Sequence, residues 1–220
     1  MIITAIEVRK RHLTAIILSE AFSCDDAFCD AAGNLLLQTE YAEELFLKEG
    51  QEVDEEWLTE VCHESAYRRC LSKGMWYLSR RNYCSGEIYK KLVSEYTDIV
   101  CYRVLSRLQE LGLIDDRAFA TRLAEQLIEE KGISPRAAAL HMAAKGVDMD
   151  LAKEVISQRE DDPLVPLKAL VEKKYIRSVK TEKDYKKAVA SLMRKGYNYG
   201  EVKAVFSEYD LHFNDEEFGD

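Results

Sequence analysis

Cys62-His63, followed by Cys70, is the tightest group of metal-capable side chains in the chain, and Asp115-Asp116 is a carboxylate pair of the kind that can hold a cation or serve as a general base. A tetrahedral zinc site needs a fourth ligand at finger-like spacing, which the Cys62 group lacks. Adjacent carboxylates placed directly before an apolar helical pattern satisfy free backbone N–H groups and complement the helix dipole, so Asp115-Asp116 reads as a helix cap. No G-x-S-x-G, P-loop, H-E-x-x-H or G-x-G-x-x-G string occurs, which removes the commonest nucleophile, phosphate-binding and metalloprotease chemistries. The expectation is a protein that is not an enzyme, with no catalytic residue, metal or cofactor.

What the side chains do offer is charge. Arg80, Arg81, Lys90, Lys91, Arg103 and Arg107 form one basic group, and Lys180, Lys183, Lys186, Lys187, Arg194 and Lys195 form another, with Arg136 and Lys145 between them. Lys183, Lys186 and Lys187 stand at i, i+3 and i+4, so they share a helix face, whereas Lys90 and Lys91 follow Glu87 at spacings that also suit ordinary surface ion pairs. Gathered into a stripe, such cations steer a protein toward polyanions, with an effect that weakens as salt rises. Trp57, Trp76 and Tyr77 are expected to pack in the core rather than to stack on bases.

The chain has 220 residues and a net charge of −9, which excludes a uniformly basic surface. The acidity is concentrated at the ends. Residues 1–60 hold 4 basic and 14 acidic side chains and the last ten residues hold 4 acids, whereas residues 61–210 hold 27 basic against 22 acidic. The six cysteines contain no CxxC pair, and the first twenty residues lack the pattern of a secretory signal, so reduced thiols and a cytoplasmic protein are expected. The longest purely aliphatic runs are far shorter than the ~20 residues a membrane helix requires.

Residues 2–8, 13–18 and 35–37 are rich in β-branched and aliphatic residues and read as strands, with Arg9-Lys10-Arg11-His12 as the first hairpin connection and Gly33-Asn34 as a turn. Tyr41, Leu45 and Leu47 then recur at helical spacing up to Gly50, and Asp54 caps a helix carrying Trp57, Leu58 and Val61. From about residue 60 the pattern is helical throughout. Ser85, Asp115, Ser134-Pro135 and Thr181 read as N-caps, Gly146 and Gly196 as C-terminal stops, and Asp161-Asp162-Pro163 with Pro166 as a break. A period of 50 residues runs through this region, aligning Ile88, Ala138 and Ala188; Leu92, Met142 and Leu192; Tyr96, Gly146 and Gly196; and Leu105, Val155 and Val205. Each unit reads as a long leader, a middle helix ending near the glycine position and a short third helix.

Leu78-Ser79-Arg80-Arg81, Ser85-Gly86-Glu87-Ile88, Lys91-Leu92 and the run from Leu108 through Leu111-Gly112-Leu113-Ile114-Asp115 to Phe119-Ala120 resemble the RecX family of RecA regulators. Gly132, Pro135-Arg136 and Lys145-Gly146-Val147 continue the likeness, which covers residues 64 to about 160 well and 164–210 more loosely. Residues 47–56 resemble the amino-terminal extension of longer members, a small strand-containing module. One departure is His141-Met142, where the family usually carries Glu-Leu.

The resemblance implies a mainly α fold, a tandem repeat of three three-helix units in a curved elongated body after that small module. The expected divisions are a 1–60 module, repeats at 61–113, 114–160 and 161–210, and an acidic tail at 211–220. It also implies a non-enzymatic, cytoplasmic regulator of homologous recombination, DNA repair and the SOS response. The implied partners are the RecA filament and single-stranded DNA within or near it, met by a monomer that does not touch membranes. The residues carried forward as the binding surface are Arg80, Arg81, Lys90, Lys91, Arg103, Arg107, Arg136, Lys145, Lys183, Lys186, Lys187, Arg194 and Lys195. Two other readings compete: a helix-turn-helix-like DNA-binding module acting without RecA, and a scaffold for another protein through the acidic module.

Overall fold

The computed structural model describes residues 1–159 and 164–211. The expected break at Asp161-Asp162-Pro163 and the acidic tail beyond Leu211 lie outside the described residues. The chain divides into two compact units, Met1–Ile114 and Asp115–Asp220.

In the first unit, β1 (Ile3–Arg9), β2 (Leu13–Leu18) and β3 (Leu35–Gln38) form an antiparallel sheet in that order, with Ile6 opposite Ile16 and Ile16 opposite Leu35. The β1–β2 connection closes tightly because Arg11 and His12 both take left-handed backbone, at φ 65° and 58°. One face buries Ile3, Ile16, Leu35 and Leu37. Helix α1 (Thr39–Glu44) is shorter than the spacing of Tyr41, Leu45 and Leu47 predicts, because Phe46 turns to φ 50° and ends it.

Helix α2 (Glu55–Leu78) begins at the expected cap, where Asp54 Oδ1 accepts from the Trp57 N–H at 2.8 Å. It serves two cores. Leu58, Val61 and Cys62 complete the core beneath the sheet, and Ala66 and Cys70, one and two turns on, enter a second core with α3 (Ser85–Leu92) and α4 (Asp98–Glu110). Helices α2 and α4 approach closely at Gly74, where a β-carbon would sit 3.0 Å from Leu108 Cδ1. The cap of α3 is Cys84 and not Ser85, which is the first helical residue. The third helix of this group is also longer than the second, contrary to the expected order of lengths.

The second unit is wholly helical among its described residues. Helix α5 (Asp116–Glu125) starts at Asp115, whose carboxylate accepts from the Ala118 N–H at 2.8 Å, and continues as a π-helical turn over Gln126–Glu130. Helix α6 (Pro135–Lys145) is capped by Ser134 and stops at Gly146 with φ 107°, and α7 (Met149–Ser157) follows from Asp148. Helices α8 (Val165–Lys174), α9 (Glu182–Arg194) and α10 (Tyr199–Glu208) form the last group. Pro166 lies in the first turn of α8 rather than in a linker, a position that does not need its missing N–H. Thr181 and Asp184 make the expected capping box, and Asn198 with Glu201 makes another that the sequence reading passed over.

The 50-residue period is a period of burial. Ile88, Ala138 and Ala188, then Leu92, Met142 and Leu192, then Leu105, Val155 and Val205 are all buried. Within the second unit the two helical groups interlock through backbone. Ser134 N–H donates to Lys195 C=O at 2.8 Å, and Gly196, at φ 91°, leaves no space for a side chain: a β-carbon there would fall inside contact distance of Ala137 and 2.6 Å from Ser134 Oγ. The architecture is therefore mainly α, with three successive three-helix groups after a small three-stranded sheet.

Candidate partner-binding surface

The end of α2, the turn that follows it and the last turn of α3 place cations and aromatic rings together on one corner of the first unit. Trp76 and Arg80 lie one turn apart on α2 and its extension, so the Arg80 guanidinium stacks 4.2 Å from the Trp76 ring. Arg81 stacks 3.5 Å from Tyr83 and is fixed from below by Glu87, which accepts from Nη1 and Nη2 at 3.1 and 3.0 Å. Lys91, on α3, stands 4.9 Å from the Tyr77 ring and 5.5 Å from Tyr83. The rings themselves meet edge to face, Trp76 to Tyr77 at 5.1 Å and Tyr77 to Tyr83 at 6.2 Å.

Cation–ring contacts of this kind contribute about 0.5–1 kcal/mol each at an exposed site, enough to hold the side chains in a shared arrangement but not to neutralise them. Arg80 pairs with no carboxylate among the described residues. Trp76 was expected to be core, yet it is 51% exposed. An exposed indole flanked by a guanidinium offers a flat apolar face and a charge side by side, which suits an anionic partner that also presents rings. Tyr83 was not singled out from the sequence. The signal that could have found it is local: Trp76-Tyr77, Arg80-Arg81 and Tyr83 alternate aromatic and basic residues within eight positions.

The other candidate cations are dispersed. Arg103 stacks on Tyr67 at 3.9 Å and binds Glu64 at 3.1 Å, and Arg107 pairs with Glu110 at 3.0 Å, so both are held on the α4 side. Lys90 is exposed next to Lys91. In the second unit, Arg136 and Lys145 are exposed at opposite ends of α6, Arg136 at the rim of an apolar groove lined by Leu140, Met149 and Ile156. On α9, Lys183, Lys187 and Arg194 project from the face opposite buried Tyr185, Ala188, Val189 and Leu192, whereas Lys186 is half-buried against Glu182 at 3.2 Å. Lys195 turns inward to donate to the Lys131 carbonyl, and burial, reinforced by Lys174, depresses its pKa. Of thirteen expected residues, the fold brings Arg80, Arg81 and Lys91 together around rings and sets Lys183, Lys187 and Arg194 on one solvated helix face.

Among the described residues no group of three or more His, Cys, Asp or Glu side chains is arranged to hold a metal ion, and no helix is long and apolar enough to cross a membrane. His63 hydrogen-bonds with buried Asp26, and Cys70 lies in the helical core, which accounts for the Cys62 group in structural terms.

No protein-family model matches the chain. It is similar to regulatory protein RecX of Clostridioides difficile strain 630, with 26% identity over 96% of this chain and 99% of that one. It is also similar to regulatory protein RecX of Mycobacterium leprae strain Br4923, with 32% identity over 55% of this chain and 74% of the relative. Among solved structures, a crystal structure of regulatory protein RecX superposes with a TM-score of 0.59 at 19% identity, covering 96% of this chain and 99% of that one, which bears on the fold.

Proposed function

The chain belongs to the RecX family, and from that premise we propose that it is a non-enzymatic regulator of homologous recombination and DNA repair that binds the RecA filament on single-stranded DNA. In this reading it lies along the filament, touches several protomers, lowers RecA ATP turnover and blocks strand exchange. The observation that supports it is the Trp76–Arg80–Arg81–Tyr83–Lys91 corner, a basic and aromatic surface on a chain that is acidic overall.

A net charge of −9 opposes binding to phosphates at long range, so contact has to be local and short-ranged. Cations already stacked on rings supply such contact. Repeated helical groups add to it, since engagement of one raises the effective concentration of the next, and weak individual contacts then suffice.

The test is RecA ATPase on single-stranded DNA with the protein at substoichiometric amounts. Turnover should fall and filaments should shorten. Unchanged turnover together with unchanged filament length contradicts the proposal. A gel shift on naked DNA at moderate salt separates it from a helix-turn-helix-like binder, which would bind tightly there without RecA.

A further inference from the structure

Three of the six cysteines gather where the β2–β3 connection lies against α2. Cys24 packs against the apolar cluster that contains Cys62, near enough for the two thiols to influence each other, and Cys29 follows on the same connection. The placement is enforced by contacts on all sides of the connection. Asp26 is buried between the two strand-side cysteines, and its carboxylate hydrogen-bonds with His63 Nδ1, next to Cys62, and accepts from Thr97 Oγ1 at 2.8 Å. The Arg69 guanidinium stacks 4.4 Å from the Phe28 ring, and Phe28 C=O accepts from the Leu36 N–H of β3 at 2.7 Å. Cys24 and Cys62 pack into the same apolar cluster, Cys24 half-buried at its edge and Cys62 within it.

We propose that Cys24 and Cys62 are a thiol modification site that a peroxide-class oxidant converts to a disulfide joining the β2–β3 connection to α2. In the first step the Cys24 sulfur attacks one peroxide oxygen, the O–O bond breaks, and Cys24 sulfenic acid and one water result. In the second, the Cys62 sulfur attacks the Cys24 sulfur, the S–O bond breaks, and the departing hydroxyl leaves as a second water with the Cys62 proton. The two thiols lose two electrons and the peroxide gains them. A disulfide requires a Cβ separation of about 3.5–4.5 Å, and the two thiols share one cluster on segments that the Asp26–His63 hydrogen bond pins together.

The order of the steps follows from access. Burial pushes the Cys62 thiol far up, so it is a poor first nucleophile, whereas Cys24 is half-buried at the edge of the cluster, and the exposed Cys29 can be oxidised without a partner inside it. A second pair provides an internal contrast. Cys70 and Cys101 also share one cluster, but both are fully buried in the helical core and burial pushes Cys70 up to about 12. That pair is out of reach of solvent oxidant while the unit is folded.

This inference does not depend on the RecA reading, and its test does not use RecA. The full-length chain is treated with hydrogen peroxide, alkylated and digested. The expected product is a Cys24–Cys62 cross-linked peptide, released by dithiothreitol, with Cys70 and Cys101 recovered as thiols. Cys24→Ser, at a half-buried position, should abolish the bridge, and Cys29→Ser should leave it in place. Arrest of Cys24 at the sulfenic or sulfinic stage, a bridge that persists in Cys24→Ser, or preferential oxidation of Cys70 and Cys101 would overturn it.

Discussion

The two units differ in what surrounds their cations. All eight cation–ring contacts among the described residues lie in the first unit, from Arg68 over Tyr41 to Arg103 over Tyr67. In the second unit the aromatic side chains Tyr185, Tyr197 and Phe206 are buried in the core, and Lys183, Lys187 and Arg194 stand on α9 with water around them. The same residue types therefore do different work. In the first unit rings hold cations in place at the surface, which suits short-range contact, and in the second the exposed cations supply a field, which suits attraction and is screened by salt.

Four changes would break or sharpen this contrast, in descending order of expected size. Gly196→Val forces a branched side chain into φ 91° and against Ala137 and Ser134, and should destabilise the second unit by about 3 kcal/mol or more. Hydrogen exchange should then show protection lost in α6–α10 and kept in α2–α4. Equal loss in both would show that the two units do not unfold separately. Reversing Arg80, Arg81, Lys90 and Lys91 to Glu should weaken filament binding by roughly 30- to 150-fold, equivalent to about 2–3 kcal/mol, with helix content by circular dichroism unchanged. Full inhibition by that variant would place the contact on another face.

Trp76→Ala removes the ring under Arg80 and should cost about 1–2 kcal/mol of binding, whereas Trp57→Phe, inside the module, should cost none; equal losses would remove the distinction between exposed and packed indoles. The smallest effect is expected from changing Lys183, Lys187 and Arg194 together to Ser, about 1 kcal/mol of binding at low salt, vanishing near 0.5 M. A loss that survives high salt would mean that α9 makes direct contact.

Much of the fold was legible because it rests on short-range rules. Asp54, Asp115, Ser134 and Thr181 cap where their side chains reach free N–H groups, and the 50-residue alignment of Leu92, Met142 and Leu192 marks positions that are all fully buried. Trp76 was misread for a reason that lies in α2. A helix that packs first on a sheet through Leu58 and Val61 and then on α4 through Ala66 and Cys70 carries its apolar residues on two arcs, so a further large apolar residue looks like core. Burial of Asp26 was equally hidden, since its partners His63 and Thr97 are 37 and 71 positions away. The basic clusters were visible, but their division into ring-held and solvated sets depends on Tyr83 and on the turn between α2 and α3, which sequence spacing does not reveal.

The most direct measurement is site-specific photo-crosslinking on RecA filaments assembled on single-stranded DNA, with the photoreactive side chain placed in turn at positions 80, 107 and 187. The account predicts covalent attachment to RecA or to the DNA from position 80 and weak or no attachment from 107. Attachment from 107 or 187 with none from 80 would contradict it.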